Sequence, residues 1–523
     1  MKPATLLTCA LASVERLAPT LRPLVFMAAL APLAIAGTSG QPMWDDAFFL
    51  ERAVCVNRAA FALSAHGVWR CIGNMFKSPV MALLLLPAGP LTGGDGQLGV
   101  ATFMLASCTL ALAALLGWMM LRSGAPLSTV IAAGAAIAFC NPIRKAGAPF
   151  LVDGPFAILV AVTLLMPFLE MGVPNSPGWS AVRRGFLWGA VFGVGVLSKV
   201  TFCYFAVLTG PLVVITSLRR SGARATRDKL LAATAAALIP LIIFIRLAPL
   251  YLSHGYQSAL GEVAAQYGAA RPFWRALADV ISSTGGAYWF ICASLLAAAV
   301  FTIRRDPERF AMAMATWCIL LAYLFIVSLS RNEDPRFLWV VWVSMPVSAA
   351  AATAWSSKAP AEAEISSSLI CAIIVFASAP MFSRFDFQKV REAEQLLRTL
   401  KSDRPAHVEI ASDPPFLNIN TFQLARQIAS NDLQNVEVST VIYDEVAGRS
   451  AQFSLEKLRT ADFIVFPAWS SPPAGPSFTN RHAKRFLEFA RTCGRLIEIG
   501  HGISDTLAFD MREKKCRTSM PNQ

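Results

Sequence analysis

The chain has 523 residues, of which 55% are hydrophobic and 15% charged, and its mean hydropathy is +0.52. Soluble globular domains carry about 25% charged residues, so this composition excludes a soluble protein and predicts a polytopic α-helical membrane protein. The net charge of +13 does not indicate a nucleic-acid partner, because the basic residues concentrate in short connections between apolar segments, where they set membrane orientation.

Eleven apolar stretches approach the length of about 20 residues that crosses a bilayer. They lie near 21–38, 98–121, 126–143, 151–170, 185–201, 202–218, 230–252, 284–303, 310–330, 337–355 and 366–383. We expect the first to remain as an uncleaved span. The shorter run at 79–91 is bounded by prolines and is expected to be a re-entrant or surface-lying helix.

Basic residues between the spans predict the orientation. With the N-terminus in the cytoplasm, the inner connections hold fifteen Lys and Arg residues and the short outer connections hold six. This bias predicts a cytoplasmic N-terminus, and an odd number of spans then places the C-terminus outside. The long loop 39–97 and the C-terminal residues 386–523 are therefore expected outside the cytoplasm.

The first outer loop opens with two adjacent carboxylates, Asp45 and Asp46, just outside the membrane. Carboxylates beside hydrocarbon are costly unless water, a cation or a reacting partner offsets them, so the pair is a candidate for a catalytic site. The alternative is that both residues only begin an amphipathic helix, since acidic side chains suit a helix N-terminus.

The predicted topology gathers further polar residues at the same face. Arg144, Asp153, Lys199 and Arg336 each lie near the outer end of a span, and such convergence is typical of a site built between helices. For Arg144 the alternative is a side chain that reaches to the lipid headgroups. Asp153 has no long aliphatic stem that would allow this.

The composition changes after the last span. Residues 386–523 alternate strand-like runs at 407–411, 463–466 and 496–499 with helical ones, which predicts a small α/β domain with a mostly parallel sheet. No glycine-rich phosphate loop follows any of these strands, so no nucleotide site is predicted there. We interpret this region as an accessory domain.

The cysteines do not form a metal-ligand set. Most of the 11 lie in apolar segments, where cysteine acts as a small hydrophobic residue. Cys55 with Cys71, and Cys493 with Cys516, fall in polar regions and could each form a disulfide on an oxidising side. Their spacing alone leaves both pairings open.

Five motifs together carry a family resemblance. In chain order they are Asp45-Asp46-Ala47, Lys77-Ser78-Pro79, Leu151-Val152-Asp153-Gly154-Pro155, Gly195-Val196-Leu197-Ser198-Lys199 and Pro335-Arg336-Phe337-Leu338. Their order and shared membrane side resemble the polyprenyl-phosphate-sugar glycosyltransferases of the C-type membrane fold, the group of protein O-mannosyltransferases and lipid A aminoarabinose transferases. The resemblance covers roughly residues 20–350 and does not include the C-terminal domain.

The resemblance implies a role for each matching residue. Asp45 matches the family's catalytic base, and Asp46 stands where the family usually has glutamate. A carboxylate can take the acceptor's proton, and cations can hold the departing phosphate. Lys77, Lys199 and Arg336 match the cations, although the family's Lys-Pro-Pro becomes Lys-Ser-Pro and its Arg-Tyr-Leu becomes Arg-Phe-Leu. A single carboxylate base opposite the leaving group implies inversion at the anomeric carbon.

Asp153 and Arg144 are then expected to support the site or to orient the acceptor. The expected partners are a polyprenyl-phosphate sugar donor, a glycan, lipid or protein acceptor, and the lipids of a bacterial-type inner membrane. No metal site and no cofactor are predicted, and a requirement for a divalent metal stays open.

Two other functions stay open. A transporter or flippase for a lipid-linked or anionic substrate would also gather charges between helices, but transporters tend to carry internal repeats with sites at the midplane, and we find no such repeat. The second is a non-catalytic subunit that has kept this membrane fold. Loss of Asp45 would favour it, but Asp45 is present.

We therefore expect residues 1–385 to form a transmembrane glycosyltransferase domain and 386–523 an accessory domain.

Overall fold

The structure, a computed structural model, describes most of the chain. The described residues are 39–40, 44–73, 75, 79–83, 95–146, 153–172, 179–260, 272–302, 306–330, 335–353, 384–385, 387–401, 404–412, 414, 417–442, 444, 450–467, 482–499 and 506–512.

The described chain up to residue 353 is almost entirely helical. After the two-residue strand β1 (Ser39–Gly40), the helices are α1 (Trp44–Phe61), α2 (Ala65–Ile72), α3 (Pro79–Leu83), α4 (Asp95–Arg122), α5 (Leu127–Ala138), α6 (Asn141–Ala146), α7 (Asp153–Gly172), α8 (Trp179–Ser198), α9 (Phe202–Ala259), α10 (Phe273–Thr284), α11 (Gly286–Thr302), α12 (Pro307–Leu329) and α13 (Trp339–Ala352). A 3₁₀ helix at Pro335–Leu338 precedes α13.

Helix α7 lies at the centre of the helical part. Its side chains from Phe156 to Glu170 are all buried, and α7 packs against α4, α8, α9, α12 and α13. A helix that is apolar on every side is either enclosed by protein or surrounded by lipid. Apolarity alone does not explain the central position of α7, because α9 and α12 are at least as apolar and are much less buried.

Within the described residues, α7, α9 and α12 are long and apolar enough to cross a membrane, and the bent pair α10 and α11 adds a fourth span if it counts as one. Each predicted span between residues 98 and 355 coincides with at least part of a helix. The predicted spans at 21–38 and 366–383 lie outside the described residues. The proline-bounded run at 79–91 is described only as far as α3.

Helix α9 covers two predicted spans, 202–218 and 230–252. Its two halves meet at Gly222, whose φ of 78° and ψ of 171° suit only a residue without a side chain. The chain folds back at this point, because Ser217 Oγ lies 3.0 Å from Thr226 Oγ1, whereas nine residues of straight helix span about 13 Å.

Helix α8 packs closely along the second half of α9. A Cβ atom at Gly185 would lie 2.1 Å from the carbonyl oxygen of Lys229, and one at Gly189 would lie 2.1 Å from that of Ala233. Only glycine allows the two backbones to approach this closely. Small residues four positions apart are typical of helix contacts in membranes.

Helix α10 was not predicted from the sequence. It meets α11 at an angle of 106°, and the bend falls at Gly285, whose φ is 91°. Only Ala276, Val280 and Thr284 of α10 are buried, so one narrow face contacts the rest of the protein. A short helix with a single apolar stripe gives a weak hydropathy signal, which is why the prediction placed only the span at 284–303.

The C-terminal region contains a five-stranded sheet. After β2 (Arg384–Phe385), its elements are α14 (Gln388–Leu400), β3 (Ala406–Ile410), α15 (Ile419–Ile428), β4 (Val436–Thr440), α16 (Ala451–Thr460), β5 (Phe463–Phe466), α17 (Ala483–Cys493), β6 (Arg495–Ile497) and β7 (Leu507–Asp510), with a 3₁₀ helix at Ser430–Leu433. The strand order is β4-β3-β5-β7-β6.

The prediction of a mostly parallel sheet is only half right. Strands β4, β3 and β5 are parallel, but β7 is antiparallel to both β5 and β6. Nine residues separate β6 from β7, and a parallel pair needs a crossover connection of about a dozen residues or more. The short connection therefore requires the antiparallel pairing.

The sheet has an apolar core on each face. Phe463 and Val465 of β5 join the same core as helices α14 and α15, while Ile464 and Phe466 join the core of α16 and α17. This alternation follows from the two-residue period of a strand. The α14 and α15 core also continues into the buried residues of the helical part.

Candidate functional site

Three predicted residues form a charged cluster around one carboxylate. Asp153 begins α7, Lys199 directly follows α8, and Arg336 lies in the 3₁₀ helix before α13. Lys199 Nζ lies 2.5 Å from Asp153 Oδ1, and Arg336 Nη1 lies 3.9 Å from Asp153 Oδ2. The structure therefore brings together residues that are up to 183 positions apart in the sequence.

The local structure suits each charge. Asp153 lies in the first turn of α7, where the helix dipole favours an anion, and Lys199 follows the last turn of α8, where it favours a cation. The backbone N–H of Lys199 still donates to the carbonyl oxygen of Gly195 at 3.2 Å. This bond continues the helical turn and fixes where the lysine side chain begins.

Aromatic residues that the sequence analysis did not select surround the lysine. Lys199 Nζ lies 4.5 Å from the ring centroid of Phe337 and 5.4 Å from that of Phe156, so both rings are within range of a cation–π contact. The Tyr323 hydroxyl donates to the Phe337 carbonyl oxygen at 3.1 Å and so ties the 3₁₀ helix to α12. Phe337 directly follows Arg336 in the sequence, and this position was the available sequence signal for its contact with Lys199.

Among the described side chains, the cluster contains two cations and one carboxylate, and all three are partly exposed. The side chains of Lys199, Asp153 and Arg336 are 25%, 13% and 33% exposed. Two neighbouring cations that are partly removed from water attract an anion more strongly than fully hydrated cations do. Lysine and arginine are also the side chains that bind phosphate oxygens in proteins, arginine as a two-pronged donor.

The remaining predicted site residues are described only in part. The backbone places Asp45 and Asp46 in the first turn of α1, and Arg144 in α6, but their side chains lie outside the described residues. Lys77 also lies outside them. The structure therefore does not test whether these four side chains approach the Asp153 cluster. Asp45 and Asp46 do begin a helix, as the alternative interpretation of the pair expected.

Helix α1 is held at its middle by a disulfide. Cys55 is bonded to Cys71 of α2, so one of the pairings that the sequence left open is formed. Arg52 also donates from Nη1 to the Cys71 carbonyl oxygen at 3.4 Å. Cys493 is disulfide-bonded as well, and its partner cysteine lies outside the described residues. Among the described side chains, no group of three or more His, Cys, Asp or Glu could hold a metal ion.

A second charged cluster lies at the other end of α7 and was not predicted. Glu170 accepts a hydrogen bond from Lys229, and Arg184 Nη1 lies 3.5 Å from the same carboxylate oxygen. Lys229 Nζ also donates to Ser217 Oγ at 2.9 Å and to Ser221 Oγ at 3.1 Å. The Glu170 and Lys229 side chains are fully buried, so this cluster joins helices rather than binding a ligand from solvent.

A third polar cluster lies in the C-terminal sheet. His407 Nε2 is 2.7 Å from Ser439 Oγ and 3.3 Å from Glu409 Oε1, and Lys457 Nζ is 3.3 Å from the same carboxylate oxygen. The hydrogen bond with Glu409 raises the pKa of His407. In a catalytic triad the acid and the hydroxyl contact opposite nitrogens of the histidine. Here both contact Nε2, so this cluster does not have the geometry of a catalytic triad.

The bundle around α7 and the α/β sheet domain together share their fold with a solved protein structure. In particular, the chain is similar to ArnT from Cupriavidus metallidurans in its structure bound to undecaprenyl phosphate, with a TM-score of 0.52, 14% sequence identity, and coverage of 93% of this chain and 97% of that chain. This likeness shows a shared fold and confirms the resemblance at that level.

The shared fold extends beyond the sequence motifs. Because the alignment covers 93% of the chain, it includes most of residues 386–523, which the motifs did not reach. The apo structure of the same ArnT aligns with a TM-score of 0.48 at 14% identity, over 97% of this chain and 98% of that chain. No protein-family model and no curated protein sequence matches the chain.

Proposed function

We propose that this chain is an integral-membrane glycosyltransferase that moves a sugar from a polyprenyl-phosphate donor to an acceptor at the outer face of the inner membrane. The observation that carries the proposal is the cluster in which Lys199 and Arg336 share the Asp153 carboxylate. Two neighbouring cations suit the phosphate of a lipid donor, and the solved ArnT structure with the same fold is bound to undecaprenyl phosphate.

In the proposed reaction, Asp45 acts as general base. The acceptor's oxygen or nitrogen attacks the anomeric carbon, its proton passes to the Asp45 carboxylate, and the bond between that carbon and the phosphate oxygen breaks. The bonding electrons leave with the phosphate, so polyprenyl phosphate is released. A single displacement of this kind inverts the anomeric centre. Asp46 would support Asp45 or replace it as base.

The cations stabilise the phosphate as its charge grows in the transition state. Lys199 and Arg336 supply this charge in the proposed mechanism, together with Lys77. The contacts of Asp153 with both cations support a positioning role, in which it keeps the two side chains at the site before the donor arrives. From the sequence, Asp153 was expected only to support the site or to orient the acceptor, so this role is more specific. Arg144 keeps its proposed role near the acceptor.

The proposed topology restricts the donor. Nucleotide sugars are made in the cytoplasm, whereas the acidic pair and the cations are proposed to face the other side. A sugar carried on a lipid phosphate can reach that side, because its apolar tail lies between helices while its phosphate meets the cations.

Transfer is expected to proceed in detergent with a polyprenyl-phosphate sugar and to fail with a nucleotide sugar. Lys199→Ala and Arg336→Ala are each expected to weaken donor binding by about 1.5–3 kcal/mol, or roughly 10- to 100-fold, because each removes a charged hydrogen-bond partner of the phosphate. The measurements are radiolabelled sugar transfer and the affinity for the lipid donor.

Arg219→Ala is the matched control, since Arg219 is an exposed cation on α9, 20 positions after Lys199 and on the side that the topology predicts to be cytoplasmic. Its donor affinity should equal that of the unchanged protein. Robust transfer from a nucleotide sugar without lipid would contradict the donor assignment. Tight binding of the lipid donor with no transfer to any acceptor would instead favour the transporter or flippase.

Reporter fusions test the proposed orientation. A reporter that is active only after export should be active when fused after Ser412 and silent when fused after Arg224, because the basic residues concentrate on the Arg224 side. Paired reporters that are active only in the cytoplasm should give the opposite pattern. An active export reporter at Arg224 would place the charged cluster on the cytoplasmic side and remove the topological reason for a lipid-linked donor.

A further inference from the structure

The C-terminal domain contacts the helix that carries the acidic pair. Helix α15 of that domain packs against α1, although the two are separated by more than 350 residues in the sequence. The Arg58 side chain donates from Nη1 to the backbone carbonyl oxygen of Gln427. A side chain in the last turn of α1 thus bonds to the last turn of α15.

Helix geometry explains why this carbonyl is available. The last four carbonyl groups of a helix have no partner within it, and Gln427 is the second-last residue of α15. The partial negative charge at a helix C-terminus also favours a cation there. Arg58 therefore satisfies a polar group that the α15 sequence leaves without an intrahelical partner.

A second charged residue lies on the same side of α1. Glu51 is seven positions, or about two helical turns, before Arg58. It is buried, and burial raises its pKa, while Arg52 and Arg426 of α15 lower it. Arg426 therefore adds to the electrostatic environment of Glu51, and the packing of α15 against α1 is not limited to the Arg58 hydrogen bond.

Apolar packing makes the contact continuous. Phe48, Leu50 and Val54 of α1 belong to one buried core that also contains Phe422 and Ala425 of α15. The Cys55–Cys71 disulfide holds the same stretch of α1 to α2. The C-terminal domain therefore supplies one attachment of this helix, beside the disulfide to α2 and the packing of α3 against it.

We propose that the C-terminal domain positions the catalytic carboxylates, because α15 holds the helix whose first turn contains Asp45 and Asp46. Arg58 is the positioning residue of this contact. The inference rests on the proposed function and deepens it, because it gives the C-terminal domain a role in the transfer step.

The effect should fall on the transfer step and not on donor binding. Asp153, Lys199 and Arg336 are carried by other elements, so they keep their positions when α1 loosens. Misplacement of a reacting group by about 1 Å can reduce the rate roughly 100-fold. Loss of the α15 contact is therefore expected to lower kcat while the affinity for undecaprenyl phosphate stays unchanged.

The experiment compares Arg58→Ala, Arg58→Lys and Arg70→Ala in the full-length protein. Arg70 is an exposed arginine in the last turn of α2 and is the matched control. The measurements are kcat and KM with a polyprenyl-phosphate sugar, the affinity for undecaprenyl phosphate, and amide hydrogen exchange at 425–429. Arg58→Ala should lower kcat about 10- to 100-fold with KM and affinity within about twofold, and should speed exchange at 425–429.

Arg58→Lys should recover most of the lost kcat, because a lysine ammonium can also donate to the Gln427 carbonyl, and Arg70→Ala should match the unchanged protein. An Arg58→Ala variant with full kcat would overturn the inference, as would equal losses of kcat and lipid affinity, which indicate general damage to the fold. If the unchanged protein transfers no lipid-linked sugar at all, the proposed function itself fails. If it transfers the sugar and Arg58→Ala transfers it equally well, only this inference fails.

Discussion

Asp45→Asn is expected to reduce sugar transfer about 100- to 10,000-fold, the range that general-base catalysis contributes. An amide has nearly the shape of a carboxylate but cannot accept the acceptor's proton. Asparagine is also well tolerated at a helix start, and the lost interaction with the helix dipole costs at most about 1 kcal/mol. The variant should therefore accumulate in the membrane at normal levels, and transfer of sugar from a polyprenyl phosphate is the measurement.

Asp46→Asn is the control within the same helical turn. It changes the same charge at a neighbouring position, so general electrostatic effects at the start of α1 should be similar in both variants. We expect Asp46→Asn to retain more activity than Asp45→Asn. The reverse order would assign the base to Asp46, and full activity in both variants would remove the acidic pair from the mechanism.

Glu170→Met is expected to destabilise the protein by about 3–5 kcal/mol, because it leaves Lys229 and Arg184 buried without their shared anion. Lys229→Met should cost less, since Arg184 still lies 3.5 Å from Glu170. The double variant should be more stable than the sum of the two single effects predicts, because residues in contact couple by about 0.5–3 kcal/mol. Thermal unfolding in detergent measures all three.

Glu308→Met provides the comparison with an exposed ion pair. Glu308 binds Arg220, but these side chains are 51% and 43% exposed, and pairs of this kind contribute about 0–1 kcal/mol. Its unfolding temperature should therefore stay close to that of the unchanged protein. Equal stability of the Glu170→Met and Glu308→Met variants would show that the buried cluster does not stabilise the helical bundle.

The sequence predicted much of the Asp153 cluster because charge is rare and costly at the ends of apolar spans. Asp153, Lys199 and Arg336 could each be selected for that reason, and the predicted topology placed them on one face. Their actual contacts could not be predicted, since the sequence gives no distances between elements. Phe337 was noted only as part of its motif, and Phe156 and Tyr323 were not selected, because aromatic residues are common in apolar segments.

The buried Glu170 cluster was missed for a related reason. Lys229 and Arg184 were counted among the basic residues that set orientation, and in most membrane proteins such residues face the headgroups. Whether they face lipid or a buried carboxylate depends on the close approach of α8 to α9, which glycine permits at Gly185 and Gly189. A sequence pattern can suggest that contact but cannot identify its partner.

By itself, the sequence determined that the protein is polytopic, where its long apolar helices lie, and which polar residues are candidates for a site, because hydropathy and charge act locally along the chain. Only the tertiary structure decided that Asp153 is shared by two cations, that β7 runs antiparallel to β5, and that α15 holds α1. Each of these depends on packing between elements that are distant in the chain, and such packing follows from shape and close approach rather than from local composition.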